Sequence, residues 1–119
     1  MDERQALAAF AALAQEHRLR VVRRLVVAGP EGLAAGRVAE SVGVSASSAS
    51  FHLKELEQAG LVQARREGRS ILYSAAYPAL SGLVAFLMTD CCQGRPEVCT
   101  PAVAALQTDG LMTGDIAHA

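Results

Sequence analysis

A mainly helical domain with one small β-hairpin is the fold class that this sequence predicts. Apolar residues recur at helical spacing from residue 7 to 56 and again from 80 to 88. Between these stretches, over 61–74, the pattern changes to alternation around a basic, Gly-containing turn. Composition agrees with this class. Of 119 residues 51% are apolar and only 4% aromatic, so the core is aliphatic, built from Leu, Val and Ala. One small domain accounts for this length. So short a chain buries a modest share of its surface, and a core shared across a dimer would add stability.

The elements follow in order. Residues 3–15 read as a first helix, with Leu7, Phe10, Leu13 and Ala14 on one face. A second helix runs from about His17 to Val27, with Leu19, Val22, Leu25 and Val26 inward and Arg20, Arg23 and Arg24 outward. Ala28-Gly29-Pro30 ends it, because Gly accepts the left-handed stop and Pro cannot continue a helix. Leu33 to Val42 is a short third helix, broken by Gly43. Ser45 caps a fourth, which sets Ala49, Leu53 and Leu56 on one face and stops at Gly60. Two short helices around a Gly-containing turn form a helix-turn-helix.

Residues 61–74 then read as a hairpin whose tip is Arg66-Glu67-Gly68-Arg69-Ser70. A two-stranded hairpin is unstable alone, so it packs on the helices as a wing. Pro78 suits the first turn of a last helix, and Leu80, Leu83, Val84, Leu87 and Met88 form its apolar stripe. With Leu7 and Phe10 of the first helix, Leu80, Leu83, Val84 and Leu87 are the candidate dimer interface; the alternative is that both helices cover their own core. After Asp90 the pattern turns irregular, and residues 102–119 are expected as a weak helix and a mobile tail. The domain reading is therefore a winged helix-turn-helix over 1–90, dimeric, followed by a cysteine-containing segment and tail over 91–119.

No run of about 18 apolar residues is present to span a membrane. The start, Met1-Asp2-Glu3-Arg4, lacks a signal-peptide pattern, so the expected location is the cytoplasm, where cysteines stay reduced. Net charge is −1, which alone argues against a nucleic-acid binder, but residues 17–72 carry +4 and the two ends together −5. A basic middle between acidic ends fits a footprint on DNA; ordinary solvated surface is the bland alternative. The first turn of the fourth helix is almost wholly Ser and Ala. Small hydroxyl side chains let a helix sit deep in the major groove. Arg65, Arg66 and Arg69 on the wing would lie along flanking backbone or minor groove.

Four stretches together resemble the ArsR/SmtB family of metalloregulatory repressors, over roughly residues 5–90. They are His17-Arg18-Leu19-Arg20, Ser50-Phe51-His52-Leu53, Leu56-Glu57-Gln58-Ala59-Gly60-Leu61-Val62, and Arg65-Arg66-Glu67-Gly68-Arg69. The resemblance implies a homodimer built on the first and last helices. It implies repression of double-stranded operator DNA in the metal-free state and release on effector binding. By the same match Ser45, Ser47, Ser48, Ser50 and His52 lie on the DNA face. His52 has a second reading as a partly buried histidine, and Lys54 is read either as a phosphate contact or as a solvated lysine. His17 is read as structural.

Cys91, Cys92 and Cys99 fall within nine residues, among Gly, Pro and charge rather than in an apolar stripe. Three thiolates with no obvious fourth ligand suit trivalent arsenic or antimony, which are thiophilic and need three donors. Structural zinc wants four. Some arsenic-responsive relatives carry a vicinal cysteine pair and a third near the end of the last helix, which this segment resembles. The helix before the recognition helix holds no cysteine, unlike another branch. Arsenite is therefore the expected effector, with antimonite as a second candidate. The alternatives are a thiol redox or persulfide sensor, in which two cysteines bridge, and a zinc, cadmium or lead sensor, which needs an oxygen or imidazole donor. A thiol enzyme such as an arsenate reductase fits poorly, because it needs an anion-binding loop at a helix N-terminus beside its cysteine. A regulator rather than an enzyme is expected. Its sensor would act through the dimer, because it is remote in sequence from the DNA-reading helix.

Overall fold

In the computed structural model the backbone is described for residues 1–92 and side chains for 1–89. The elements are α1 (Glu3–Leu13), α2 (Glu16–Ala28), β1 (Leu33–Ala34), α3 (Ala35–Val42), α4 (Ala46–Gln58), β2 (Val62–Glu67), β3 (Ser70–Ala75) and α5 (Tyr77–Cys92). One compact unit runs from Met1 to Leu83, and α5 starts within it. The strands form one antiparallel sheet in the order β1-β3-β2. Mainly helical with a small sheet, the chain is a winged helix-turn-helix: α3 and α4 are the two helices, β2 and β3 the wing.

α1 begins with reciprocal capping. Asp2 accepts from the Gln5 N–H at 2.8 Å, and the Gln5 side chain accepts from the Asp2 N–H at 2.8 Å. Its buried face is Ala6, Ala9 and Ala12, not the expected Leu13 and Ala14 side. Leu7 is 61% exposed and Phe10 is exposed too. Alanines at this spacing let backbones approach closely, which leaves the large side chains outside the protomer's own core. α2 shows a similar rotation. Val21, Val22 and Leu25 are buried, while Leu19 and Val26, both expected inward, are exposed.

Leu25, Leu53, Leu56, Leu61, Val21 and Val38 are the largest fully buried side chains, drawn from α2, α3, α4 and the start of the wing. Leu83 is also buried. It belongs to the protomer's own core, which corrects its place in the expected dimer face; Val84 and Leu87 stay exposed. The Tyr77 hydroxyl donates to the Val26 carbonyl at 3.1 Å and ties the start of α5 to the end of α2.

Three boundaries differ from expectation. Leu33 and Ala34 are not helical; they pair with Tyr73 and Leu72 of β3. The wing turn is tighter than Arg66–Ser70. Glu67 pairs with Ser70, leaving only Gly68 and Arg69 in the turn, with Gly68 at φ 62°. α5 runs through Cys92 rather than stopping at Asp90.

Gly32 explains the first difference. Its φ is +76°, and a Cβ there would lie 2.5 Å from the Tyr73 carbonyl oxygen. The chain thus passes close against β3 just before β1, and the next two residues fall into ladder register. Gly32→Ala should therefore destabilise the fold by about 1–3 kcal/mol. Gly36→Ala on α3, where nothing lies within 4 Å of the added methyl, should cost nothing. Urea denaturation of the two variants beside wild type measures the contrast.

Candidate nucleic-acid interface

The α3–α4 turn is set by Gly43 in the left-handed region at φ 73°. Two residues later Ser45 caps α4 as expected. Its Oγ accepts from the Ser48 N–H at 3.1 Å and lies 3.3 Å from the Ser47 Oγ. α4 buries Ala49, His52, Leu53 and Leu56. Opposite them, Ser47, Ser50, Phe51 and Lys54 are exposed at i, i+3, i+4 and i+7, and Ser48 is half-buried. α4 therefore presents a stripe of two short hydroxyls, one aromatic ring and one ammonium to solvent.

His52 is not on that stripe, which corrects its place among the DNA-facing residues. It is 7% exposed. Its ring lies 5.6 Å from the ring of His17, and Phe51 meets it edge-on at 5.6 Å. Arg18 supplies the other wall. Its Nε donates to the Ala12 carbonyl at 2.7 Å, and its Nη1 lies 3.5 Å from the His52 Nδ1. One guanidinium thus joins the end of α1 to the middle of α4. Burial holds the His52 pKa below its ordinary value, the charges of Arg18 and His17 push the same way, and Glu55 opposes them. The ring sits neutral, accepting rather than repelling Arg18.

On the wing, Arg65 is also turned away from the expected role. Its Nη2 donates to the Glu31 carbonyl at 3.0 Å and its Nη1 to Pro30 at 3.3 Å, while Nε meets Glu67 at 3.3 Å. Arg65 pins the wing to the loop after α2. Other cations of the basic middle are engaged as well. Arg20 pairs with Glu16 at 2.7 Å, Arg37 lies 3.9 Å from Glu40, and Arg24 donates to Ser41 at 3.2 Å. Among the described residues, Arg23, Lys54, Arg66 and Arg69 make no such bond. Three of these four, Lys54, Arg66 and Arg69, lie on α4 and the wing.

Two positions escaped the sequence reading. Arg18 joins two helices through a contact 34 residues away, and no local pattern signals that. Phe51 was legible, because fixing Ala49, Leu53 and Leu56 as the inward set places it on the opposite side. Of the cysteines, Cys91 and Cys92 end α5, their side chains lie outside the described residues, and so does Cys99. Among the described residues no three His, Cys, Asp or Glu side chains form a metal-sized group, and no helix is long and apolar enough to cross a membrane.

A helix-turn-helix domain family matches residues 13–63. The HTH-type transcriptional regulator YgaV of Escherichia coli (strain K12) is 32% identical over 79 residues, 66% of this chain and 80% of that protein. An uncharacterized HTH-type transcriptional regulator of Bacillus subtilis (strain 168), YceK, is 41% identical over 61 residues, 51% of this chain, and the matched segment spans 60% of that relative's length. Among solved structures, an ArsR-like transcriptional regulator from Rhodococcus sp. RHA1 superposes with a TM-score of 0.66 at 27% identity, covering 87% of this chain and 92% of that one. A homodimeric winged helix-turn-helix DNA-binding domain from Mycobacterium bovis gives 0.59 at 30% identity, over 76% and 82%. A possible transcriptional regulator for arsenical resistance gives 0.56 at 30%, over 66% and 79%.

Because the fold keeps His52 neutral while the unfolded chain does not, the unfolded state binds the extra proton as pH falls below about 6.5. Stability should be level above that value and decline below it. In urea melts from pH 7.5 to 5, His52→Gln should flatten the decline; an unchanged slope would show that His52 is not its source.

Proposed function

The chain belongs to the ArsR family of winged-helix transcriptional regulators, and we propose that it is a homodimeric repressor that binds double-stranded operator DNA in the cytoplasm and lets go when trivalent arsenic is captured by Cys91, Cys92 and Cys99. The observation that carries the DNA half is the distribution of free cations. Lys54, Arg66 and Arg69 are unpaired among the described residues and sit on α4 and the wing tip. Lys54 shares the outward side of α4 with Ser47 and Ser50, whose short hydroxyls leave room for a groove edge. Support for a homodimer comes from Leu7, Phe10, Val84 and Leu87. These are large apolar side chains left exposed by the protomer. The Mycobacterium relative of the same fold is homodimeric.

The arsenic half rests on donor chemistry. Three thiols in nine residues suit a trivalent, thiophilic centre better than a four-coordinate one. The vicinal pair closes α5. A relative's link to arsenical resistance adds support, and antimonite has the same demand for three thiols. Because the cysteines are remote in sequence from α4, capture acts through the dimer. It alters the spacing of two recognition helices that must enter successive major grooves about 34 Å apart.

Two outcomes are expected. For a duplex selected from a random library, three cations per protomer give log K against log salt a slope of about −5 for the dimer. Arg66→Ala with Arg69→Ala should lower its magnitude by about 3–4, while Arg20→Ala should leave it unchanged. Arsenite titrated into the same complex should weaken DNA binding by about 5- to 150-fold, with one arsenic per chain by native mass spectrometry. Zinc and polysulfide should leave the complex intact. If every single Cys→Ser variant releases DNA as wild type does, the cysteine assignment fails.

A further inference from the structure

Phe51 is the anomaly of α4. It is 56% exposed, and at 100° per residue it points about 150° away from the centre of the buried face. On the outward stripe its neighbours at i−4, i−1 and i+3 are Ser47, Ser50 and Lys54. Two of these are too short to cover a phenyl ring. Its ring and that of His52 stand T-shaped with centroids 5.6 Å apart, and more than half of Phe51 stays exposed. A solvated helix gains nothing from a bare Phe at such a position, whereas Phe10 and Leu7 lie on α1, on the face proposed to meet a second protomer.

Resting on the reading of α4 as the DNA-reading helix, we propose that Phe51 is a specificity residue that packs against the C5-methyl group of a thymine in the major groove. That methyl is the one apolar feature that separates thymine from cytosine on the major-groove edge. The phenyl ring offers no hydrogen bond, so it recognises the methyl by desolvation alone. Ser47 and Ser50 keep their hydroxyls for phosphate or base edges beside it. The buried His52 is in ring contact with it.

The experiment needs no assumed operator. A duplex is first selected from a random library with wild-type protein, and each thymine of one half-site is then replaced in turn by uracil, which deletes only the methyl. One replacement in a single half-site should weaken wild-type binding about fourfold, and the same replacement in both half-sites about 15-fold. Phe51→Ala should bind the thymine duplex more weakly and show no loss on uracil replacement, and Phe51→Leu should retain part of it. The proposal is overturned if no uracil position weakens wild type. It is equally overturned if Phe51→Ala is as sensitive to uracil as wild type, or if Phe51→Ala dissociates the dimer or lowers the melting temperature by more than about 5 °C, either of which would make the ring a packing residue. Failure of wild type to enrich any duplex would instead overturn the DNA-binding reading, and this inference with it.

Discussion

Leu53 and Leu56 of α4 are fully buried, each contributing about 1.5–3 kcal/mol to a small aliphatic core. Because these two, with Ala49, are sunk among α1, α2 and α3, the opposite side of α4 is held outward. The proposed reading of the major groove uses that outward side. The core in turn needs close approach of α1, which its Ala6, Ala9 and Ala12 face permits. Arg18 locks the arrangement by donating to the last turn of α1 and lying against His52 of α4. A neutral His52 is required there, since a second positive charge beside the guanidinium would push α4 away from α1. The orientation of the recognition helix is thus tied to the helix expected to meet a second protomer.

What the sequence conveyed was local. Gly43, the Ser45 cap and the Gly68 turn were each legible because their cause lies within a few residues. Non-local causes were hidden. Leu33 and Ala34 read as helix because nothing near them announces β3, to which they pair forty residues away in sequence. The α1 face was misjudged because Leu7 and Phe10 outweigh three alanines in any hydrophobic count. Yet it is the alanines that fit a tight helix contact. His52 was ambiguous for a related reason: its spacing from Ala49 and Leu53 allows a place at the edge of either face, and only Arg18 and His17 decide which. The end of α5 was drawn early because Gly94 and Pro96 dominate the reading, whereas the helix continues to Cys92.

The location of the cysteine pair bears on how a signal leaves it. Cys91 and Cys92 sit on the same helix as Leu83, which is buried in the protomer core, and Tyr77, which is bonded to the end of α2. The start of that helix is therefore anchored; under the proposed capture, a constraint placed on its end by three thiols would act on an element already fixed at one side.

A net charge of −1 is an uncertain guide to a nucleic-acid binder; the decisive question is which cations are already used. Arg18, Arg20, Arg24, Arg37 and Arg65 are each engaged with a carbonyl, a carboxylate, a ring or a hydroxyl. Their donors are already directed at the protein's own groups, which fixes where these guanidinium groups point. Arg23, Lys54, Arg66 and Arg69 remain, and the last three lie on α4 and the wing. Few free cations make for weak non-specific attraction. Under the proposed DNA reading, a regulator built this way would draw more of its discrimination from the groove edge, through Ser47, Ser50 and Phe51 on the outward side of α4.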